Sequence, residues 1–366
     1  MAAGVNIQDG GANWIVTGPA SPNGGFLDLR GATSLDTSGA TGGNVTLVAY
    51  DGGNIDSGRV ALSPTTTVTT FGTAGASGNV KIIASDVNSA NANSIQIGGI
   101  DTRGPGSSGT VGTGNVLLAA ALLPTTVNVI VDKTTGAATG LGQFAAQAGT
   151  PRNISVTGDI VTRGGAVTLS AGDSTSSNGN VLVTGKVDNQ ISATGVGTGA
   201  GGSFTVVQNS ASAFTIGGAT VNGIGSATAA ILTEAGTSGG AGKGGTVDIT
   251  NNGAGGITAN LGSIAVPVID IRASGSGSGG IFKLTAPIGP VSLVSTGNGL
   301  NASAASGGGG NGGQVNISAQ TFSSTGNPLL SASGDGAGAG GSVRVVSTQA
   351  GNAITVGTGA SDIKVD

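Results

Sequence analysis

Gly43-Asn44-Val45-Thr46-Leu47 carries the pattern that decides the fold. Its tetrapeptide, apolar at the second and fourth positions, recurs as Asn79-Val-Lys-Ile82, Asn115-Val-Leu-Leu118, Asn153-Ile-Ser-Val156 and Asn180-Val-Leu-Val183. It continues as Ser203-Phe-Thr-Val206, Thr246-Val-Asp-Ile249, Ile281-Phe-Lys-Leu284, Gln314-Val-Asn-Ile317 and Ser342-Val-Arg-Val345. Nine of these ten copies follow a glycine. Alternation with a period of two is the mark of a strand with one buried face. The copies start 35, 36, 38, 27, 23, 43, 35, 33 and 28 residues apart, a mean of about 33. A strand recurring at that interval predicts a repeat architecture, in which each unit buries its apolar face against its neighbours.

Two further short apolar pieces follow most copies. After Asn180 come Val181 and Val183, then Val187, then Ile191 and Ala193, before a glycine-rich run over 195–202. After Asn153 come Ile154 and Val156, Ile160, then Val167 and Leu169. After Thr246 come Val247 and Ile249, Ile257, and an apolar stretch over 264–271. Three short strands and one glycine-rich return loop predict a triangular coil, with Gly, Asn and Asp at the turns because they tolerate positive φ. The phrases Leu35-Asp-Thr-Ser-Gly39, Ile100-Asp-Thr-Arg-Gly104, Ile191-Ser-Ala-Thr-Gly195 and Ile271-Arg-Ala-Ser-Gly275 read as the last strand handing over to that loop.

The expectation is an all-β fold: a single-stranded parallel β-helix, or β-solenoid, of about ten coils. At about 4.8 Å per coil it forms a rod roughly 50 Å long. Residues 44–366 read as one continuous solenoid. Residues 1–43 have strand-like pieces at 14–16 and 26–29 without the full motif, and read as an atypical first coil or N-terminal cap. The least regular repeat covers 119–149, with its clearest strand at 127–131. The residue between the two apolar ones points outward: Thr46, Lys81, Leu117, Ser155, Leu182, Thr205, Asp248, Lys283, Asn316, Arg344. Asp248 beside Lys283 is an opposite-charge pair on adjacent rungs, worth a few tenths of a kcal/mol.

Composition narrows the function. Glycine is 74 of 366 residues and charged residues are 8%, against a usual ~7% and ~25%. The positive mean hydropathy of +0.25 and the registered Val, Ile and Leu argue against disorder. A net charge of −4, with 13 basic residues spread singly, excludes a nucleic-acid partner. No apolar run is long enough to span a membrane as a helix, and residues 1–20 show no signal peptide. Without cysteine or histidine, disulfides and metal sites built from thiolate or imidazole are excluded.

Gly-Gly-Asn-Val-Thr-Leu at 42–47, Gly-Asp-Ile-Val-Thr-Arg-Gly at 158–164 and Gly-Gly-Gln-Val-Asn-Ile-Ser-Ala at 312–319 resemble the repeats of bacterial filamentous-haemagglutinin-like surface proteins. The resemblance covers about residues 40–366 and is one of repeat style. It implies an exported, right-handed parallel β-helix of the kind that forms adhesins and fibres. Ser21-Pro-Asn-Gly24 faintly resembles the Asn-Pro-Asn motif of that family's secretion domain, with the first Asn missing.

The sequence offers no catalytic constellation. Paired-carboxylate hydrolysis needs two acids about 5–10 Å apart, and Glu234 is the one glutamate. Lys243 ends a glycine-rich stretch but is followed by Gly244, so no phosphate-binding loop forms. Asp36, Asp56, Asp101 and Asp159 read as turn or exterior residues, and Trp14 and Tyr50 as packing or capping residues. The mixed outward ladder opposes ice binding, which ranks with polysaccharide binding as a third reading. No enzyme activity, cofactor or metal is expected.

A β-helix leaves a sheet edge open at each end, and open edges pair unless blocked. No amphipathic helix occurs at either end, and the last residues still read as strand. Two different ends meeting head to tail make a heterologous contact that extends into a filament. The expected assembly contacts are Trp14, Ile15, Val16, Ile354, Val356, Ile363 and Val365. The expected function is an extracellular or cell-surface structural subunit whose partners are copies of itself. A segment of a large secreted adhesin, binding cell-surface or matrix glycans as a monomeric rod, is the alternative.

Overall fold

Alternating Val, Ile and Leu build short parallel strands here, and these stack in register into three ladders. The structure is a computed structural model that describes residues 1–17, 23–52, 54, 56–85, 93–104, 113–120, 129–139, 152–172, 178–189, 199–233, 235, 242–263, 266–295, 300–326, 329–349, 354–355 and 362–364. Over these residues the protein is all-β and parallel strands dominate.

Ladder one runs from Ala2–Ala3 through Val45–Tyr50, Val80–Ser85, Val116–Ala120, Ala166–Ala171, Ser203–Gln208 and Thr246–Asn251. It then takes the first halves of two long strands, Ile281–Ser295 and Gln314–Gly326, and ends on Ser342–Ser347. Ladder two begins with Leu27–Leu29, Val60–Leu62, Ile95–Ile97, Ile154–Val156 and Val181–Val183. It passes through Ile257–Asn260 and the second halves of the two long strands to Ile354–Thr355. Ladder three links Leu35–Asp36, Thr67–Thr69, Gly99–Asp101, Ile160–Val161 and Val187–Asp188. Ile231–Leu232, Ile269–Asp270, Leu300–Asn301, Leu329–Ser331 and Asp362–Lys364 complete it.

The ladders enclose one core. Register aligns Val45, Val80, Val116, Val167, Phe204, Val247, Phe282 and Val315 as a column of buried side chains. Leu47, Ile82, Leu118, Leu169, Val206, Ile249, Leu284 and Ile317 form the next column. Each such side chain contributes about 1.5–3 kcal/mol when fully buried.

Two of the ten tetrapeptides do not stand where the uniform pattern puts them. Ile154–Val156 and Val181–Val183 belong to ladder two, pairing with Ile95–Ile97 and with each other. Ladder one instead takes Ala166–Ala171, so its outward series runs Leu117, Thr168, Thr205, Asp248, without Ser155 or Leu182. The spacings of 38 and 23 residues flanking this pair run between ladder one and ladder two, whereas the 27 residues from Asn153 to Asn180 separate successive rungs of ladder two.

The physical reason lies in the preceding glycine. A Cβ on Gly165 would collide with the Gly114 carbonyl oxygen, and one on Gly202 with that of Gly165. The same close approach runs from Gly43 through Gly78 to Gly114, and from Gly202 through Gly245, Gly280 and Gly313 to Gly341. Every strand of ladder one from Val45–Tyr50 onward follows this glycine stack. Asn153 follows Arg152 instead, and Gly179, which precedes Asn180, stands against Gly172 and off this stack.

Side chains clip adjacent rungs at the same corner. The Asn44 Oδ1 accepts from the Asn79 N–H at 2.8 Å, that of Asn79 from Asn115 at 2.9 Å, and that of Asn115 from Ala166 at 2.8 Å. The hydroxyls of Thr37, Thr70 and Thr102 donate to the carbonyls of Gly43, Gly78 and Gly114 at 2.6, 2.6 and 2.9 Å, tying ladder three to the stack. Lys283 Nζ reaches Asp248 Oδ2 at 3.0 Å, as the adjacent-rung charges predict.

Outside the ladders lies a four-stranded antiparallel side sheet, in the order Ala138–Thr139, Val129–Asp132, Asn13–Thr17, Asn6–Asp9. Residues 1–43 therefore divide: 2–3, 27–29 and 35–36 join the ladders, whereas 6–9 and 13–17 join this sheet. Of the strand expected at 127–131, residues 127–128 lie outside the described residues and the rest falls in Val129–Asp132. Val16 and Val129 pack with Val48, Tyr50 and Ile83 of ladder one in a second small core, which gives Tyr50 its packing role.

Candidate functional site: the open strand edges

Among the described residues, the ladder ends present strand edges with unpaired backbone hydrogen-bonding groups. At one end Ala2–Ala3, Leu27–Leu29 and Leu35–Asp36 each pair along one edge among the described residues. At the other, Ser342–Ser347, Ile354–Thr355 and Asp362–Lys364 do the same. Leu27, Leu29 and Leu35 are half-buried and pack against the main core from its rim. Ile354 is 47% exposed.

The expected contact residues separate into two groups. Ile354 and Ile363 lie in terminal strands of ladders two and three. Trp14, Ile15 and Val16 lie in the side sheet, in a strand paired on both edges by Asn6–Asp9 and Val129–Asp132. Val356 and Val365 lie outside the described residues. Sequence reading passed over Leu27, Leu29 and Leu35 as edge residues. The signal was present in Leu35-Asp-Thr-Ser-Gly39, whose match to Ile100-Asp-Thr-Arg-Gly104 already places it at the end of ladder three.

Charges near the first edge are internally matched. Arg30 pairs with Asp28 at 2.6 Å, and this hydrogen bond lowers the Asp28 carboxyl to about 2. The Asp36 carboxyl is lowered by its hydrogen bonds from Ser38. The same Asp-x-Arg pairing recurs at Asp101–Arg103 and Asp270–Arg272, each at 2.6 Å. Asp159 Oδ1 accepts from the Lys186 N–H at 2.9 Å. These aspartates thus serve turns and rungs. Among the described residues no cluster of three or more His, Cys, Asp or Glu is placed to hold a metal. Glu234 lies outside the described residues.

Two concavities flank the side sheet. A groove of about 300 Å³ runs along Asn44, Asn79, Lys81, Leu117, Ala138 and Thr168. Lys81 Nζ donates to the Ala138 carbonyl at 2.9 Å, and burial lowers the pKa of its amine. A cleft, also of about 300 Å³, is lined by Met1, Ala2, Ile7, Trp14, Val16, Thr46, Val48 and Val131. Lys133 Nζ sits 4.1 Å from the Trp14 ring centroid and pairs with Asp9. Such an arrangement can hold apolar groups and extended backbone; it offers no nucleophile paired with a base.

Comparison with protein-family models, with curated proteins and with solved structures finds no match to this chain.

Proposed function

We propose that this chain is a non-enzymatic structural protein of the extracellular space or cell surface. In this reading the three ladders form a right-handed β-solenoid of about ten coils, and the rod stacks head to tail into a filament or sheath. The observation that carries it is the register of the open edges. Stepwise pairing through ladder two gives Leu27 and Ile354 equivalent positions, both at an end of the ladder. A second copy continuing the same register sets its Leu27 on Ile354, an apolar contact within a newly formed rung. Parallel ladders supply the hydrogen bonds and the apolar column supplies the area. Because the two ends differ, the contact is heterologous and propagates.

Negative-stain electron microscopy over a concentration series tests this. Wild-type protein is expected to form filaments that lengthen with concentration, whereas Ile354→Lys and Leu27→Lys give short rods. Uniform short rods of wild-type protein at every concentration would overturn it. The lateral concavities would then favour a second reading, a monomeric adhesin rod that binds surface or matrix glycans along its side.

A further inference from the structure

We propose that the outer edge of the side sheet, strand Asn6–Asp9, is a lateral self-association surface through which two rods pair antiparallel. The strand bonds to Asn13–Thr17 on one side, and all four of its residues are exposed. Its other edge is unpaired among the described residues. Such edges are ordinarily blunted by lysine, proline, a bulge or a cover. Asn6-Ile7-Gln8-Asp9 has no lysine or proline, and its register with Asn13–Thr17 runs without a bulge. Its single charge, Asp9, is neutralised by Lys133.

The occupant follows from the side chains. Val129, Val16 and Ile7 stand in one row across three strands, on one face of the sheet. Val129 and Val16 are buried, and the row stops at Ile7, which is 56% exposed. Antiparallel pairing about a two-fold axis through Ile7 continues the row with Ile7 of the second copy. It also sets Asn6 beside Gln8 of that copy, amide against amide. One patch therefore suffices for both partners, as an isologous contact requires. The occupant is a second copy of this chain, and the contact does not involve the ladder ends.

The chain lacks cysteine, so single-cysteine variants report the register directly. Directly opposed residues in an antiparallel pair have Cα atoms about 4.5–5.5 Å apart, within disulfide reach. The test uses the full chain carrying Ile354→Lys, which blocks end-to-end stacking. Under mild oxidation Ile7→Cys is expected to give a covalent dimer while Gln8→Cys stays monomeric. In sedimentation, Ile7→Lys is expected to lose the twofold-mass species that the parent forms. Equal oxidation of Ile7→Cys and Gln8→Cys, or a sedimenting mass indifferent to Ile7→Lys, would overturn the proposal. Filament formation by the chain without Ile354→Lys is read separately, so a failure of lateral pairing is distinct from a failure of end stacking.

Discussion

Gly165 shows how much of this fold rests on a missing atom. Its place in the stack brings the Gly114 carbonyl oxygen to where a Cβ would stand. Gly165→Ala must therefore push two rungs of ladder one apart, at a cost of about 1–3 kcal/mol. Gly31 supplies the comparison, since a Cβ there would meet nothing within 4 Å among the described residues. Gly31→Ala is expected to be neutral or to stabilise by a few tenths of a kcal/mol, through loss of unfolded-chain freedom. Urea unfolding of both variants checks this, and equal midpoints would remove the stack from the account. A preceding glycine alone does not assign a tetrapeptide to ladder one, since Gly179 comes before Asn180 yet stands against Gly172, off the stack. Arg152 in that place was the visible sign that Asn153 opens a different face of the coil.

At the scale of elements, the strands of the ladders were legible because their period-two pattern is local. The pairing of Asn13–Thr17 with Val129–Asp132 was not, because it joins antiparallel segments more than a hundred residues apart. The sequence there alternates like any other strand and carries no mark of its partner. The extra rung Gly223–Ile224 was equally hidden: it lies parallel to Phe214–Ile216 and is inserted between that strand and Val181–Val183. Beside this insertion the inward column of small residues changes from Ala171 to Gln208 and Asn251. Asn251 is well used, accepting from the N–H groups of Ser210 and Gly253 and donating to the Gly256 carbonyl. Gln208 is buried with neither amide atom bonded among the described residues. The two positions should respond oppositely. Asn251→Leu strands two buried N–H donors and is expected to cost about 1–3 kcal/mol, whereas Gln208→Leu relieves an unmet amide and is expected to be neutral or stabilising. A Gln208→Leu variant as damaged as Asn251→Leu would refute that contrast.

For the whole molecule, sparse charge makes the response to pH simple. Hydrogen bonds lower the carboxyls of Asp9, Asp28, Asp36, Asp132 and Asp335 in the folded state. A lowered carboxyl contributes stability that is present above its unfolded pKa and lost as pH falls through its folded one. For Asp28 that window runs from 3.8 down to about 2. With no histidine in the chain, no imidazole titrates between about pH 5 and 8. Urea midpoints are expected to fall below about pH 4; nearer neutrality the one change expected is a shallow loss as pH drops below 8.0, because burial lowers the Met1 amine in the folded state. A steep decline beginning near pH 6 would contradict this.

The open edges add a second property of the whole rod. Each repeat in a stacked array is stabilised by the neighbours on both sides; among the described residues the terminal rungs are held from one side alone, and they are expected to unravel first. In the proposed filament, a second copy would give those rungs the missing neighbour. It would do so for the folded chain alone, and a contact that binds only the folded state raises stability with concentration. The Tm of the wild-type protein is therefore expected to climb as protein concentration rises. Ile354→Lys places a charge where Leu27 of the next copy would sit, and is expected to keep one Tm at all concentrations. Calorimetry over a hundredfold dilution separates the two cases. A wild-type Tm that stays constant while filaments are visible would mean that the terminal rungs are held by something other than the neighbouring copy.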